Sequence, residues 1–331
     1  MTAPVRIVAT AIALFGICQA HADSVERRID ADPRGEVEVV NVVGSVRVSG
    51  WDRPEVQVNA ELGSSVERLD VLRDGNHVLV KVVYKSGNRR SGDSDLDIRI
   101  PQASRLTTST VSADQRISDV HGPQRLQTVS GSIDTDVWDG GFEAKSVSGS
   151  VRAVGHPTKS KPLTGEVRIT TVSGEVSIEN VGSELELRTV SGDLDVEGRD
   201  LTRAYIRTTN GNLHLEASIA PNARIDAETI NGELRFDFSG TVNAEFDIET
   251  FNGDIDNCFG PKPKRTSEYS PGTQLRFKEG AGQGRVRVKT LNGGVSICNK
   301  IAALSIGQPI ASLGFPLGKS VGPEINHGRD D

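Results

Sequence analysis

The sequence is poor in aromatic residues and in methionine. Aromatic residues make up 4% of the chain, and the only methionine is Met1. A core built from large aromatic side chains is therefore excluded, so Val, Ile and Leu must fill the interior. These residues favour β-strands and suit thin, regular cores.

The sequence also lacks long apolar runs and clusters of basic residues. The apolar stretch at residues 7–18 is too short to span a bilayer, and no later segment is longer. It follows Arg6 and precedes Ala20-His21-Ala22, so residues 1–22 are predicted to be a signal peptide, with Asp23 as the mature N-terminus. The net charge is −7, and no Lys/Arg cluster offsets it. We therefore expect neither a nucleic-acid partner nor a transmembrane segment.

One short phrase, Thr/Ser–apolar–Ser/Asn–Gly–x–apolar–x–apolar, recurs from the middle of the chain almost to its end. Examples are TVSGEVSI at Thr171 and TINGELRF at Thr229. Successive copies are 18 to 25 residues apart, except for a final step of 40. Such a period is typical of stacked repeats. The repeat turn glycines are Gly131, Gly149, Gly174, Gly192, Gly211, Gly232, Gly253 and Gly293.

Alignment on these glycines reveals strands on both sides of each turn. Apolar residues lie two and four positions after the glycine, and five and seven positions before it, with polar residues between them. This period-two alternation predicts strands with one buried face. We expect successive copies to lie side by side in parallel, about 4.8 Å apart. The predicted fold is an all-β parallel β-solenoid (β-helix-like) with coils of roughly 18–21 residues.

The pattern divides the chain into four parts. After the signal peptide, residues 23–108 are predicted to form an irregular N-terminal β cap or degenerate coils. Residues 109–300 form the solenoid repeats, with a loop excursion at 260–284 that contains a short strand at 274–277. Residues 301–331 form a C-terminal cap and tail, whose apolar first half we expect to cover the last coil.

Cys258 and Cys298 each lie five residues after a turn glycine. If their copies are adjacent, the two side chains share one column about 4.8 Å apart, which a disulfide tolerates. An exported chain also meets oxidising surroundings. We predict a structural disulfide rather than a redox or metal pair, because no His or CxxC motif lies nearby.

Two further columns could carry function. The position of the cysteines holds Asp136, Glu179, Glu197, Glu216 and Asp237 in other copies, and we expect a solvated acidic face rather than a Ca²⁺ site. The residue two positions before each glycine is mostly apolar, and it directly follows the Thr or Ser of the phrase. Adjacent residues of a strand face opposite sides, so one of these two columns must face outward, or the backbone must kink at the turn. We expect the apolar column to be buried. The alternative is an exposed apolar stripe that docks a partner.

The repeated phrase, together with the strand that ends at Pro101, resembles the bacterial putative-adhesin β-strand-repeat family, an exported domain of unknown function. The resemblance spans roughly residues 36–299 and implies a β-solenoid-like domain of the cell envelope, periplasmic or secreted.

The sequence contains no G-x-S-x-G elbow, P-loop or HExxH motif, and its histidines are scattered, so we expect no catalytic residue, cofactor or metal. The predicted function is non-enzymatic, adhesin-like binding to an unidentified protein or glycan of the envelope. The alternatives are a structural or regulatory envelope component that binds another protein, and a polysaccharide-active β-helix enzyme.

Overall fold

A computed structural model of the chain describes residues 23–86, 92–157, 163–267 and 270–300. All the elements named below within these ranges are strands, so the fold is all-β. The predicted signal peptide and the predicted C-terminal tail lie outside the described residues. Within those residues, no helix is long and apolar enough to cross a membrane.

The strands before the first full copy of the phrase are β1 (Asp23–Asp30), β2 (Glu36–Trp51), β3 (Glu55–Leu62), β4 (Val66–Asp74), β5 (His77–Tyr84) and β6 (Ser94–Pro101). The repeat region contains β7 (Arg105–Ser118), β8 (Gln124–Gln127), β9 (Ile133–Val137), β10 (Phe142–Ser146), β11 (Val151–Gly155), β12 (Val167–Thr171), β13 (Val176–Arg188), β14 (Leu194–Arg207), β15 (Leu213–Asn231) and β16 (Leu234–Phe238). The remaining strands are β17 (Ala244–Asn252), β18 (Ile255–Asn257), β19 (Lys264–Arg265), β20 (Thr273–Glu279), β21 (Gly284–Asn292) and β22 (Val295–Asn299).

The repeats form two parallel ladders that meet at the Ser/Asn-Gly turns. The upstream ladder contains the segments before each glycine, such as β8, β10 and β12, and the downstream ladder contains those after it, such as β9, β11 and β16. Equivalent positions pair directly: Val151 lies opposite Ile133 on one side and Val176 on the other. The spacing of the glycines in the sequence therefore sets the register of both ladders.

The core lies between the inward faces of the two ladders. The apolar columns on both sides of the turn are buried, as their alternation predicts. Burying one such Val, Ile or Leu side chain contributes about 1.5–3 kcal/mol relative to leaving it exposed. The columns are Ile133, Val151, Val176, Leu194, Leu213, Leu234, Ile255 and Val295 after the glycine, and Leu126, Ile169, Leu187, Ile206, Ile248 and Val288 before it.

The order of the coils in space differs from their order in the chain at both ends. β21 pairs with β15 on one side and with β17 on the other, and β22 likewise lies between β16 and β18. At the other end, β2 lies between β7 and the β5–β6 coil. The expectation that successive copies are always neighbours is therefore wrong for these coils.

Antiparallel strands pair with three of the four outermost ladder strands, and the fourth, β18, pairs only with β22 among the described strands. β4 pairs with β5 and β3 with β6 at one end, whereas β20 pairs with β17 at the other. The predicted excursion at 260–284 is therefore not a free loop, because β20 extends the sheet and Phe277 stacks on Phe246 with ring centroids 4.5 Å apart. Residues 23–108 supply both coil strands and cap strands. Capping satisfies backbone groups that would otherwise invite edge-to-edge pairing.

Candidate functional site: an exposed apolar column

The repeat turn brings neighbouring backbones into close contact. Gly192 has φ +136°, and a Cβ at this position would lie 2.2 Å from the carbonyl oxygen of Gly174. The other turn glycines stack in the same way, each against the next coil. Only glycine provides both this backbone conformation and this clearance.

The Thr/Ser column of the repeated phrase points into the core. It comprises Thr110, Thr128, Ser146, Thr171, Thr189, Thr208, Thr229, Thr250 and Thr290, all at most 7% exposed. In two coils the hydroxyl accepts a hydrogen bond from the turn amide, from Gly131 to Thr128 at 3.0 Å and from Gly149 to Ser146 at 2.8 Å. The inward hydroxyl can thus form a hydrogen bond with the backbone of the turn, which a Val side chain could not do.

The neighbouring apolar column consequently points outward, and the expectation that it is buried is wrong. We call this set the outer column: Val111, Val129, Val147, Val172, Val190, Thr209, Ile230, Leu291 and Phe251, in spatial order. All except the partly buried Thr209 are 44–47% exposed. Alternation continues unbroken through the Thr, so the next residue has to face solvent.

A polar ladder runs along one side of the outer column. Ser112 and Ser130 share a hydrogen bond of 3.0 Å between their hydroxyl oxygens. Further along, the Asn231 amide donates to Asn210 at 2.7 Å, and Asn292 donates to Asn231 at 2.8 Å. The amides of Asn231 and Asn292 each donate one hydrogen bond and accept another within this ladder, which orients the side chains and leaves further hydrogen-bonding capacity.

Charged side chains flank the other side. Arg207 pairs with Glu228 at 2.9 Å, and Lys289 pairs with Glu249 at 3.2 Å. Where Thr209 interrupts the apolar residues, Arg207, Glu228 and Lys289 border a groove of about 480 Å³. The outer column is thus a straight apolar stripe with polar edges, as is typical of docking surfaces.

Glu143 lies on the same outward face, between β8 and β12. The hydrogen bond from Lys145 at 2.7 Å, reinforced by Arg125 at 3.0 Å, lowers the pKa of Glu143 below its usual value, although partial burial opposes this shift. The carboxylate therefore braces two adjacent strands while it is ionised.

The structure confirms the predicted disulfide. Cys258 and Cys298 are bonded, with their Cα atoms 4.8 Å apart, and each directly follows a residue of the pair Asn257–Ile297, which joins β18 to β22. The bond therefore joins the two coils whose spatial order is reversed.

The acidic column is balanced mainly by cations and histidines. Glu179 pairs with Arg152 at 2.5 Å, and Glu216 pairs with Lys300. Asp237 departs from the expected solvated face, because it is only 5% exposed and contacts Arg235 at 2.8 Å. Among the described residues, no group of three or more His, Cys, Asp or Glu side chains is arranged to hold a metal ion.

Two groups of histidine contacts are not apparent from the sequence. Trp138 lies between His121, whose ring is tilted by 40° at a centroid distance of 4.0 Å, and His156, which stacks on it at 5.0 Å. Counting from the turn glycines would have aligned Trp138 with His156, because each lies seven residues after a glycine, whereas His121 lies eight residues after Ala113 and would have been missed. In the downstream ladder, His214 contacts Asp195 and Asp237, each at 3.1 Å.

The fold and the turn geometry define an all-β repeat protein with parallel ladders. Residues 36–298 match the Toastrack DUF4097 family, and the chain belongs to this family. This result confirms the resemblance seen in the repeated phrase. No curated protein shows significant similarity to the chain.

Several solved structures align with most of the chain at low identity. One is a putative cell adhesion protein from Clostridium sporogenes, with 12% identity, a TM-score of 0.21, and coverage of 84% of this chain and 100% of that one. A putative adhesin from Bacteroides fragilis has 12% identity, a TM-score of 0.38, and coverage of 84% and 97%. A putative lipid binding protein from Parabacteroides distasonis has 14% identity, a TM-score of 0.28, and coverage of 84% and 96%.

Proposed function

We propose that this chain is an exported, non-enzymatic protein of the bacterial cell envelope that binds through the outer column. In this proposal the two ladders wind as a β-solenoid, which presents one side chain of the column per coil. The observation that carries the proposal is the uniform 44–47% exposure of the eight apolar side chains in the column. A contiguous apolar stripe that is exposed to solvent lowers the solubility of a protein. Its recurrence over many coils therefore favours a binding role.

A binding experiment with charge substitutions tests this role. The purified mature protein is titrated against envelope preparations from the producing bacterium, and the bound fraction is measured for the wild type and for Val147→Asp. Leu72→Asp is the matched control, because Leu72 is 58% exposed on β4, outside the column. We expect Val147→Asp to reduce binding at least tenfold and Leu72→Asp to leave it unchanged. Equal binding by all three proteins would refute the role of the column.

Export is tested separately from binding. Residues 1–22 carry the features of a signal peptide, so the protein recovered from outside the cytoplasm is expected to begin at Asp23. N-terminal sequencing of that protein measures the cleavage point. An intact Met1 on the extracytoplasmic protein would contradict cleavage.

Two other functions predict different outcomes. A regulatory or structural component that binds another protein predicts one specific protein crosslinked to the column. A polysaccharide-active enzyme predicts shortened glycans after incubation, and we expect a glycan panel to remain unchanged. Among the described residues, the turns between the ladders are short and build no wall beside the outer column, which supports the non-enzymatic proposal.

A further inference from the structure

The position of the outer column limits how it can be covered. At the ends of the stack, antiparallel strands already pair with β5, β6 and β17. The outer column lies along the side and is the long apolar surface among the described residues. We propose that its partner is a second copy of this chain, bound face to face and antiparallel about a two-fold axis at Val190. This inference rests on the proposed binding role of the column and names its partner.

The sizes of the side chains along the column fit this arrangement. Val190 is the central position of nine, with valines on one side of it and mostly larger residues on the other. An antiparallel copy places Phe251 opposite Val111, Leu291 opposite Val129, Ile230 opposite Val147, and Thr209 opposite Val172. Large side chains therefore meet small ones, and the gap between the two copies stays even. A parallel copy in register would oppose Phe251 to Phe251 and leave the valine half unfilled.

The polar ladder changes its residue type at the same centre. Ser191 neighbours Val190, every ladder residue on the valine side is Ser, and every one on the other side is Asn. A two-fold axis perpendicular to the ladder sets each longer Asn amide opposite a shorter Ser hydroxyl, and these groups can donate and accept hydrogen bonds. The ladder comprises Ser112, Ser130, Ser148, Ser173, Ser191, Asn210, Asn231, Asn292 and Asn252.

The charged flank contributes one complementary pair on each side of the axis. Lys145 and Glu228 lie two coils from the centre in opposite directions, so each meets the other residue of the second copy. Each is already paired within its own chain, Lys145 with Glu143 and Glu228 with Arg207, so the contact between copies joins two ion pairs of opposite polarity. Arg188 meets its own counterpart near the axis. Its charge is already compensated by Glu186 at 2.8 Å, and its guanidinium lies 5.4 Å from the ring centre of Tyr205.

The available area is that of a small specific interface. Nine positions spaced about 4.8 Å apart extend about 38 Å along the stack, and the outward face of the upstream strands is about 17 Å wide. Their product is about 650 Å² per copy, close to the roughly 800 Å² per partner of a standard stable interface. The total for two copies, about 1,300 Å², lies at the lower end of the range for specific interfaces.

Cysteine crosslinking and sedimentation test the dimer. Protein is exported or carries Cys18→Ser, so that only the introduced thiol is free. Val190→Cys faces its own copy at the axis and is expected to form a covalent dimer under mild oxidation. Val129→Cys alone and Leu291→Cys alone are expected to crosslink at least tenfold less, whereas a mixture of the two gives the heterodimer. A mixture that yields no more than the separate proteins, or a Val190→Cys protein that stays monomeric, would overturn the proposal.

Sedimentation velocity of the unmodified protein provides the second readout. We expect concentration-dependent dimers for the wild type and for Leu72→Asp, and monomers for Val190→Asp with an unchanged far-UV spectrum. A wild type that is monomeric up to 100 times the concentration used for crosslinking would also refute the dimer. If the wild type is monomeric and Val147→Asp still loses envelope binding, the dimer fails and the proposed function survives. If the dimer forms but neither Val147→Asp nor Val190→Asp changes envelope binding, the proposed function fails instead.

Discussion

At the residue scale, Gly192 meets two requirements, a positive φ and the absence of a side chain next to a neighbouring backbone, which are separate elsewhere in the chain. Its φ is +136°, and its Cα approaches the Gly174 carbonyl too closely for a side chain. Gly240 also has a positive φ, +78°, but an added Cβ there would have open space around it. The two glycines therefore separate backbone strain from steric overlap.

Alanine substitutions at these two glycines measure the difference. Gly240→Ala carries only backbone strain, about 1–2 kcal/mol, whereas Gly192→Ala adds an overlap that costs about 1–3 kcal/mol more. We expect urea denaturation to show a lower free energy of unfolding for Gly192→Ala by at least about 1 kcal/mol relative to Gly240→Ala. Equal losses would mean that the coils can separate locally at little cost.

The buried threonines provide a second comparison between matched residues. The Thr250 hydroxyl donates to the Gly293 carbonyl at 3.0 Å, whereas the Thr229 hydroxyl has no protein partner. Both side chains are buried, so replacement by Val preserves shape in each case. We expect Thr250→Val to cost about 1 kcal/mol and Thr229→Val to be neutral or stabilising. Thermal melting of the two variants measures this, and a larger loss for Thr229→Val would contradict the assignment.

These threonines also explain why the sequence misled at the outer column. Hydrophobicity favours burying Val172 over Thr171, but the alternation set by Ile169 favours the reverse. The structure follows the alternation, since one position cannot face inward without displacing the neighbouring ones. The sequence contained both arguments, and the decisive one was the strand register. Ranking residues by hydrophobicity alone could not settle the direction of the column.

At the element scale, the terminal coils depend on the disulfide. It joins β18 to β22 and closes a chain segment of 40 residues that includes the β20 cap. The loop-closure entropy of such a segment corresponds to about 4 kcal/mol. We expect Cys258→Ser with Cys298→Ser to lower the unfolding free energy by up to that amount. Hydrogen exchange should show the loss mainly in β17, β18 and β20, and a loss spread evenly over β7–β12 would contradict this account.

The brace between β8 and β10 predicts a pH dependence. Because the pKa of Glu143 is lowered in the folded chain, its ionised form stabilises folding at neutral pH, and this stabilisation is lost as the pH falls through the folded-state value. We expect Glu143→Gln to cost up to about 1 kcal/mol at pH 7. The difference from the wild type should shrink on acidification. A difference that grows toward low pH would have the wrong sign.

The strands of the repeat were predictable because the same alternation of apolar and polar residues occurs in each copy. Alignment of the copies makes this alternation visible despite exceptions in single copies. The antiparallel caps were not, since β3, β4 and β20 carry no copy of the phrase. The reversed coil order was also hidden. Both orders of the β17 and β21 coils place like residues side by side, and the two cysteines become neighbours in either case.

At the scale of the whole molecule, the two ends of the stack are built in the same way, because at each end the spatial order of the coils differs from their order in the chain. A coil from inside the sequence forms each outermost level, and antiparallel strands pair with β5, β6 and β17 of these coils. The sides of the stack are left as the surfaces for association, and the outer column is the apolar one among them. The reversed order places Leu291 between Ile230 and Phe251, and so sets the sequence of side chains along the column.

Crosslinking within one chain tests this arrangement most directly. The native disulfide shows that directly opposite residues of neighbouring coils, with Cα atoms 4.8 Å apart, can be bonded. We expect Ile230→Cys with Leu291→Cys to form an intramolecular disulfide under mild oxidation, and Ile230→Cys with Phe251→Cys, two coils apart, to remain reduced. Peptide mapping by mass spectrometry measures both products. A bond between positions 230 and 251 together with free thiols at 230 and 291 would contradict the stacking order, and with it the outer column as described.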